Sequence, residues 1–244
     1  MTQIPARQAA FGERWFLGTF KGVVMSINSF SVMGVGPSQV ESGLWAFPPN
    51  PNSRGGVSWW LECEPEPLLI DCPEINEFTI HSLKELAAGR KPQIFLTSRD
   101  SHPGVSRLQD VLGWPVLVQE QEAYLLPGLK DLESFADEYK TISGVNFLWT
   151  PGPTPGTTVA YASHPLNVLF CGRFLIPSSL HSFAPVRNKR TFHWPLYQKS
   201  LRKLRDWIPS DACPLLASAV LTRGAKAQRL APWEAWADPY TKKG

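Results

Sequence analysis

The chain has 244 residues, 43% of them hydrophobic and 18% charged. That is enough apolar material for one sizeable core and excludes wholesale disorder. The formal charge of +3 demands no nucleic-acid partner by itself, and no stretch approaches the roughly 20 apolar residues of a membrane span.

The N-terminal MTQIPARQAAFGERWF has no apolar core of signal-peptide length, which sets the expectation of an intracellular, cytoplasmic chain. KGVVMSINSFSV (21–32) alternates and is rich in β-formers, so it reads as a strand. FPPNPNSRGG (47–56) is a turn by composition. VSWWLECE (57–64) and PLLIDCP (67–73) read as a strand pair. EINEFTIHSLKELAAG (74–89) has apolar residues at helical spacing and a glycine stop. QIFLTS (93–98) is a short buried strand, and 101–112 is helical after a turn at Pro103–Gly104. PVLVQEQEAYLL (115–126) holds one or two strands. Three more follow at 146–152, 157–163 and 167–172, then a basic amphipathic helix within 191–208, a last strand and turn at 214–224, and a polar-aromatic tail. Strands first and alternation with helices later predict mixed α/β or α+β layers in a single domain over 1–244, its core from about 20 to 225.

Ten Trp imply a large core, a binding surface or both. One of Trp59 and Trp60 is expected to face the core, as is Trp149. The pair Trp233 and Trp236 would share a face if the tail is helical, and would dock back on the body. Cys63, Cys72, Cys171 and Cys213 form no C-x-x-C pair, so reduced, mostly buried thiols are expected rather than a zinc knuckle.

Five landmarks occur in one order: LLIDCP (68–73), IFLTSRDSHPGVSRL (94–108), WTPGPTPGTTVAY (149–161), LFCGRFL (169–175) and VLTRG (220–224). In order and spacing they resemble the metallo-β-lactamase fold superfamily. Its landmarks are an I-D-x-G strand end, a T-H-x-H-x-D-H loop, a T-P-G-H-T-x-G turn, a G-D strand end and a final G-H-G turn. The resemblance implies a four-layer αβ/βα sandwich with loops at one sheet edge holding Zn, Fe or Mn. Such ions lower the pKa of a bound water and polarise the scissile bond.

The departures fall on the ligands. Aligned residue by residue, Ser98 and Asp100 stand where the first two histidines would be, His102 stands at the aspartate and Pro103 at the next histidine. Pro153 replaces the histidine of the T-P-G-H-T turn, Arg173 the aspartate of G-D, and Arg223 the histidine of the last turn. Asp71 matches the strand-end acid, which in the family is usually structural. Proline offers no side-chain ligand and arginine is a permanent cation. The expectation is a degenerate member with no metal, no cofactor and no catalytic residue.

Charge then replaces metal. Arg173 and Arg223 would stand where cations sit, paired through bidentate bonds by Asp100, with Asp71 as a second candidate partner. That arrangement serves either as a closed ion-pair network or as a pocket for a phosphate or carboxylate. The adjacent Asp100, Ser101 and His102 give no evidence of a hydrolytic triad, since a triad is defined in space. His81 reads as a surface residue and His164 as part of a turn. The segment 182–207 carries Arg187, Lys189, Arg190, Lys199 and Arg202 among Phe192, Trp194, Tyr197 and Trp207. Basic plus aromatic residues suit an acidic protein, an anionic lipid or nucleic acid, or they form a solvated helix face.

Three functions follow. The first is a non-catalytic binding or assembly factor, acting on an unidentified protein or anionic ligand through the old pocket edge and Arg187, Lys189, Arg190, Trp194, Lys199 and Arg202. The second is a hydrolase with a displaced metal site built from Asp71, Asp100, His102 and a histidine at 164, 181 or 193. The third is a sensor of a small anion at Arg173 and Arg223.

Overall fold

The computed structural model describes residues 36–179, 182–221 and 230–236. The chain divides at Met33/Gly34, and every described residue lies in the second unit. The strand expected within 21–32, His181 and Arg223 fall outside the described residues.

The first sheet is built from β1 (Ser38–Glu41), β2 (Leu44–Ala46), β3 (Trp59–Leu61) and β4 (Leu68–Ile70), followed by β5 (Gln93–Leu96), β6 (Val116–Gln119) and β7 (Leu132–Phe135), in that spatial order. The first four pair antiparallel, and β4 through β7 pair parallel. The change follows from the connections. Tight or short loops join the early strands, whereas the helices α1 (Glu77–Ala87) and α2 (Val105–Leu112) carry the later crossovers. Helix α1 starts where the Asn76 side chain accepts from Thr79 N at 2.8 Å and stops where Ala88 turns left-handed.

The second sheet has β8 (Glu138–Lys140), β9 (Asn146–Trp149), β10 (Thr158–Ala162), β11 (Val168–Gly172) and β14 (Leu215–Ser218), in the order β14-β11-β10-β9-β8. Only β11 and β14 run parallel, and the long helix α4 (Trp194–Trp207) lies in the connection between them. A separate hairpin, β12 (Ile176–Ser179) with β13 (Ser182–Ala184), also sits in that connection.

Side-chain alternation sorts the core into layers. Trp59, Ile70, Phe95 and Leu117 meet Phe147, Ala160, Phe170 and Ala217 between the two sheets. The intervening residues Trp60, Leu69, Ile94 and Val118 face outward onto Leu83, Val105 and Leu108 of the first helix pair. On the other side Leu148, Val159, Leu169 and Cys171 pack on Tyr197, Leu201 and Leu204 of α4. The result is the expected four-layer αβ/βα sandwich. Both Trp59 and Trp60 are buried, one in each layer, where one inward-facing residue was expected. Trp149 is only half-buried, its indole nitrogen donating to the Pro155 carbonyl.

Within 115–126 the strand ends early. The Gln119 side chain accepts from Gln121 N at 2.7 Å and starts the short helix α3 (Glu120–Ala123). The tail docks as expected: Trp236 is buried against the α4 layer, with Trp233 edge-on to it. No helix among the described residues is long and apolar enough to cross a membrane.

Candidate functional site

The strand ends that carry the landmarks converge at one edge of the sandwich. Asp71 follows β4 in a left-handed conformation (φ 64°), which a short polar side chain tolerates. Its carboxylate accepts from the backbone N of Thr97 at 2.8 Å and from Thr97 Oγ1 at 2.8 and 2.9 Å, so it staples the end of β4 to the end of β5. Burial pushes the Asp71 carboxyl up, against the opposing pull of the Thr97 and Ser101 hydrogen bonds and of Arg173. Gly172, at φ 49°, closes β11 over the same threonine. A Cβ there would sit 2.6 Å from Thr97 Oγ1.

Ser98 is buried, and its carbonyl accepts from Ser101 N at 3.0 Å and Ser101 Oγ at 2.7 Å, forming a single 3-10 turn. That turn presents Asp100 to two arginines. Arg54 forms an ion pair with Asp100 Oδ2, and Arg173 Nε lies 3.9 Å from the same oxygen. Arg173 also donates from Nη2 to the carbonyls of Ser53 and Arg54, at 2.9 and 3.1 Å. Burial and the neighbouring Arg54 push the Arg173 guanidinium down, and Asp100 and Asp71 pull it back up. Between Asp71, Thr97, Ser98, Asp100 and Arg173 the remaining cavity is about 10 Å³, room for about one water.

Two stacked mixed sheets, flanked by helices and joined at this edge by the landmarks at 68–73, 94–108, 149–161 and 169–175, decide the architecture. The chain has the metallo-β-lactamase fold. The solved structure of VMB-1 matches with TM-score 0.63 and 14% identity, covering 84% of this chain and 94% of that one. The metallo-β-lactamase from Pontibacter korlensis matches with TM-score 0.60 and 16% identity, covering 82% and 94%. An archaeal metallo-β-lactamase superfamily protein from Sulfolobus tokodaii matches with TM-score 0.55 and 16% identity, covering 79% and 82%. No family model and no curated protein matches the sequence.

The residues at the metal-loop positions of this metallo-β-lactamase fold do not fit a metal ion. Ser98 uses its carbonyl in the turn, Asp100 is engaged by two guanidiniums, and Pro103 and Pro153 have no donor side chain. The described residues contain no group of three or more His, Cys, Asp or Glu placed to hold an ion. Among the described residues the cationic neighbour of Arg173 is Arg54; Arg223, which the sequence pairs with Arg173, lies outside them. Arg54 sits in the 47–56 turn, where composition signalled only a loop.

His102 turns inward rather than toward Asp100. Its Nε2 lies 3.8 Å from Oε2 of Glu122, too far for a hydrogen bond, and has no other partner. Burial and the nearby Arg99 push its pKa down to about 4, so the ring is neutral at pH 7. Glu122, on α3, is fully buried. Its Oε1 accepts from Arg99 Nε at 3.2 Å and from Gly156 N at 3.1 Å, tying this corner to the T-P-G-P-T turn. Sequence reasoning missed Glu122 because EQEA reads as the end of a polar strand.

The hydrolase constellation is not assembled among the described residues. Ser101 Oγ donates to Ser98 O and not to His102. His164 lies beside Glu62 and Cys63, around a cavity whose lining includes no metal-loop position. The Nδ1 of His193 accepts from Leu196 N at 3.1 Å as the cap of α4.

In front of the closed position opens a second cavity of about 270 Å³. Arg54, Arg99, Arg173 and Arg190 line it together with Asp100, and Pro153, Ile176 and Val186 form an apolar wall. Of the basic-aromatic segment, only Arg190 and its neighbours reach this mouth. Arg187 lies over the Trp194 ring at 6.0 Å, and Lys189, Lys199 and Arg202 are exposed. Tyr197, Ser200, Leu201 and Leu204 face inward, which leaves Lys199 and Arg202 on the solvent side of α4.

Proposed function

We propose that this chain is a non-catalytic metallo-β-lactamase-fold protein that acts by binding, through the edge where its relatives carry metal. The observation that supports this reading is the Arg54–Asp100–Arg173 cluster at the metal-loop positions, closed down to a void of about 10 Å³. A divalent ion there would meet two permanent cations, and of its two candidate carboxylates Asp71 is held by Thr97 and Asp100 is engaged by both arginines. The binding surface is the cationic mouth in front of that cluster, extended by Arg187, Lys189, Arg190, Trp194, Lys199 and Arg202 on the adjoining segment.

The test is metal content. The purified chain is exposed to Zn, Mn and Fe, freed of loose ions by dialysis and measured by mass spectrometry. Far less than one ion per chain is expected. One or more tightly held ions would overturn the reading, and Asp100→Ala and His102→Ala would then locate them.

A further inference from the structure

We propose that the 270 Å³ cavity binds a small organic phosphomonoester, its phosphate on Arg54, Arg99 and Arg190 and its carbon skeleton against Pro153, Ile176 and Val186. The inference rests on the reading that no catalytic metal occupies the edge behind it.

Three observations carry it. The first is donor capacity. Arg190 is exposed, and its guanidinium has no ion pair or hydrogen bond among the described residues. Arg99 donates only from Nε, to Glu122, and with its side chain one-third exposed Nη1 stays uncommitted among the described residues. Arg54 engages Asp100 through Nη2 alone. Each fork retains N–H groups in the planar geometry that matches phosphate oxygens. Arg173 differs, because its Nη2 is committed to two backbone carbonyls, so it contributes charge rather than a free fork.

The second is charge. Four guanidiniums face three carboxylates, Asp100 in the wall, Glu122 behind Arg99 and the buried Asp71 beside Arg173, and a net positive charge remains. That excess selects an anion, and the several oxygens of a phosphomonoester suit the guanidinium forks.

The third is shape. A cavity of about 270 Å³ accommodates a phosphate on a three- or four-carbon skeleton. The apolar wall opposite the arginines gives a carbon skeleton something to cover, which inorganic phosphate does not need.

The experiment is isothermal titration of the full chain with glycerol 3-phosphate, inorganic phosphate and glycerol, in buffer containing a chelator. Glycerol 3-phosphate is expected to bind one to one, more tightly than inorganic phosphate, and glycerol not at all. Arg190→Gln lies in an exposed loop without side-chain partners and is expected to weaken binding roughly ten-fold or more. Arg54→Gln serves as a second variant with the same expectation. Equal affinity for glycerol 3-phosphate and inorganic phosphate would overturn the organic ligand in favour of free phosphate. Binding that both variants leave unchanged would overturn the site. No binding at millimolar concentration, with or without chelator, would overturn the ligand class and leave the metal-free reading standing. Binding seen only when Zn²⁺ replaces the chelator would overturn the metal-free reading itself.

Discussion

Replacing His102 by Gln should remove a defined slice of acid sensitivity. The His102 ring is 10% exposed, and burial beside Arg99 takes its pKa from 6.5 to about 4. A histidine whose folded pKa lies below its unfolded value contributes nothing above pH 7, where both states are neutral. As pH falls through 6.5 the unfolded chain takes up a proton that the native chain refuses, so stability drops until pH reaches the folded pKa. With those two values the loss between pH 7.5 and pH 5 is about 2 kcal/mol. Urea unfolding of the native chain and His102→Gln at several pH values in that window isolates the contribution, because every other titrating group cancels in the difference. The stability of the native chain relative to the variant should fall by that amount on acidification. If His102 were instead an ion-pair partner of Glu122, its folded pKa would be raised and the difference would grow on acidification. Parallel curves, or a difference of that opposite sign, would refute the reasoning.

Glu122→Gln keeps an acceptor for Gly156 N but leaves Arg99 without its buried counter-charge. Arg99 is one-third exposed, so the expected loss in urea unfolding is about 2 kcal/mol rather than the larger penalty of a fully buried pair. A change under about 0.5 kcal/mol, the range of ordinary surface substitutions, would show that the pair does not hold this corner. Thiol labelling gives an independent check on the layers. Cys213 is exposed, while burial pushes the Cys63 thiol up to about 11 and those of Cys72 and Cys171 to about 12. A thiol reagent at pH 8 should therefore modify Cys213 in the native chain and the other three only after unfolding. Rapid native labelling of more than one thiol would contradict the assigned packing.

The interior of the fold was legible because buried strands carry continuous apolar runs bounded by turn residues, as LLI, QIFL and VLFCG do. Most strands that escaped the sequence lie at sheet edges or in the small hairpin; β2, buried between β1 and β3, escaped because three residues are too few to show a period. SQVE, LESF, EYK and IPSS are half exposed, so no apolar face repeats along them. The metal-loop positions were read as departures from a known pattern, and Arg173 Nε lies 3.9 Å from Asp100, an ion-pair distance without the bidentate bonds expected. Arg54, Arg99 and Glu122 were not read from the sequence, because each acts across the chain. Arg54 reaches Asp100 from a turn 46 positions earlier, and Glu122 reaches Arg99 and Gly156 from a helix that alternation had assigned to strand. Pairings of that range are set by how the layers close, which a local pattern does not record.

Arg173 has a consequence for the conditions under which the edge holds together. Loops drawn together by a bound ion depend on supply: they slacken when the ion is scarce, and acid that protonates a histidine ligand releases them. A guanidinium arrives with the chain at synthesis. It donates here to two peptide carbonyls, which do not titrate, and keeps its own charge across the physiological range. On the metal-free reading proposed above, the arrangement gives up reactivity and gains constancy: the same edge, in the same shape, whatever the cell's stock of zinc or iron.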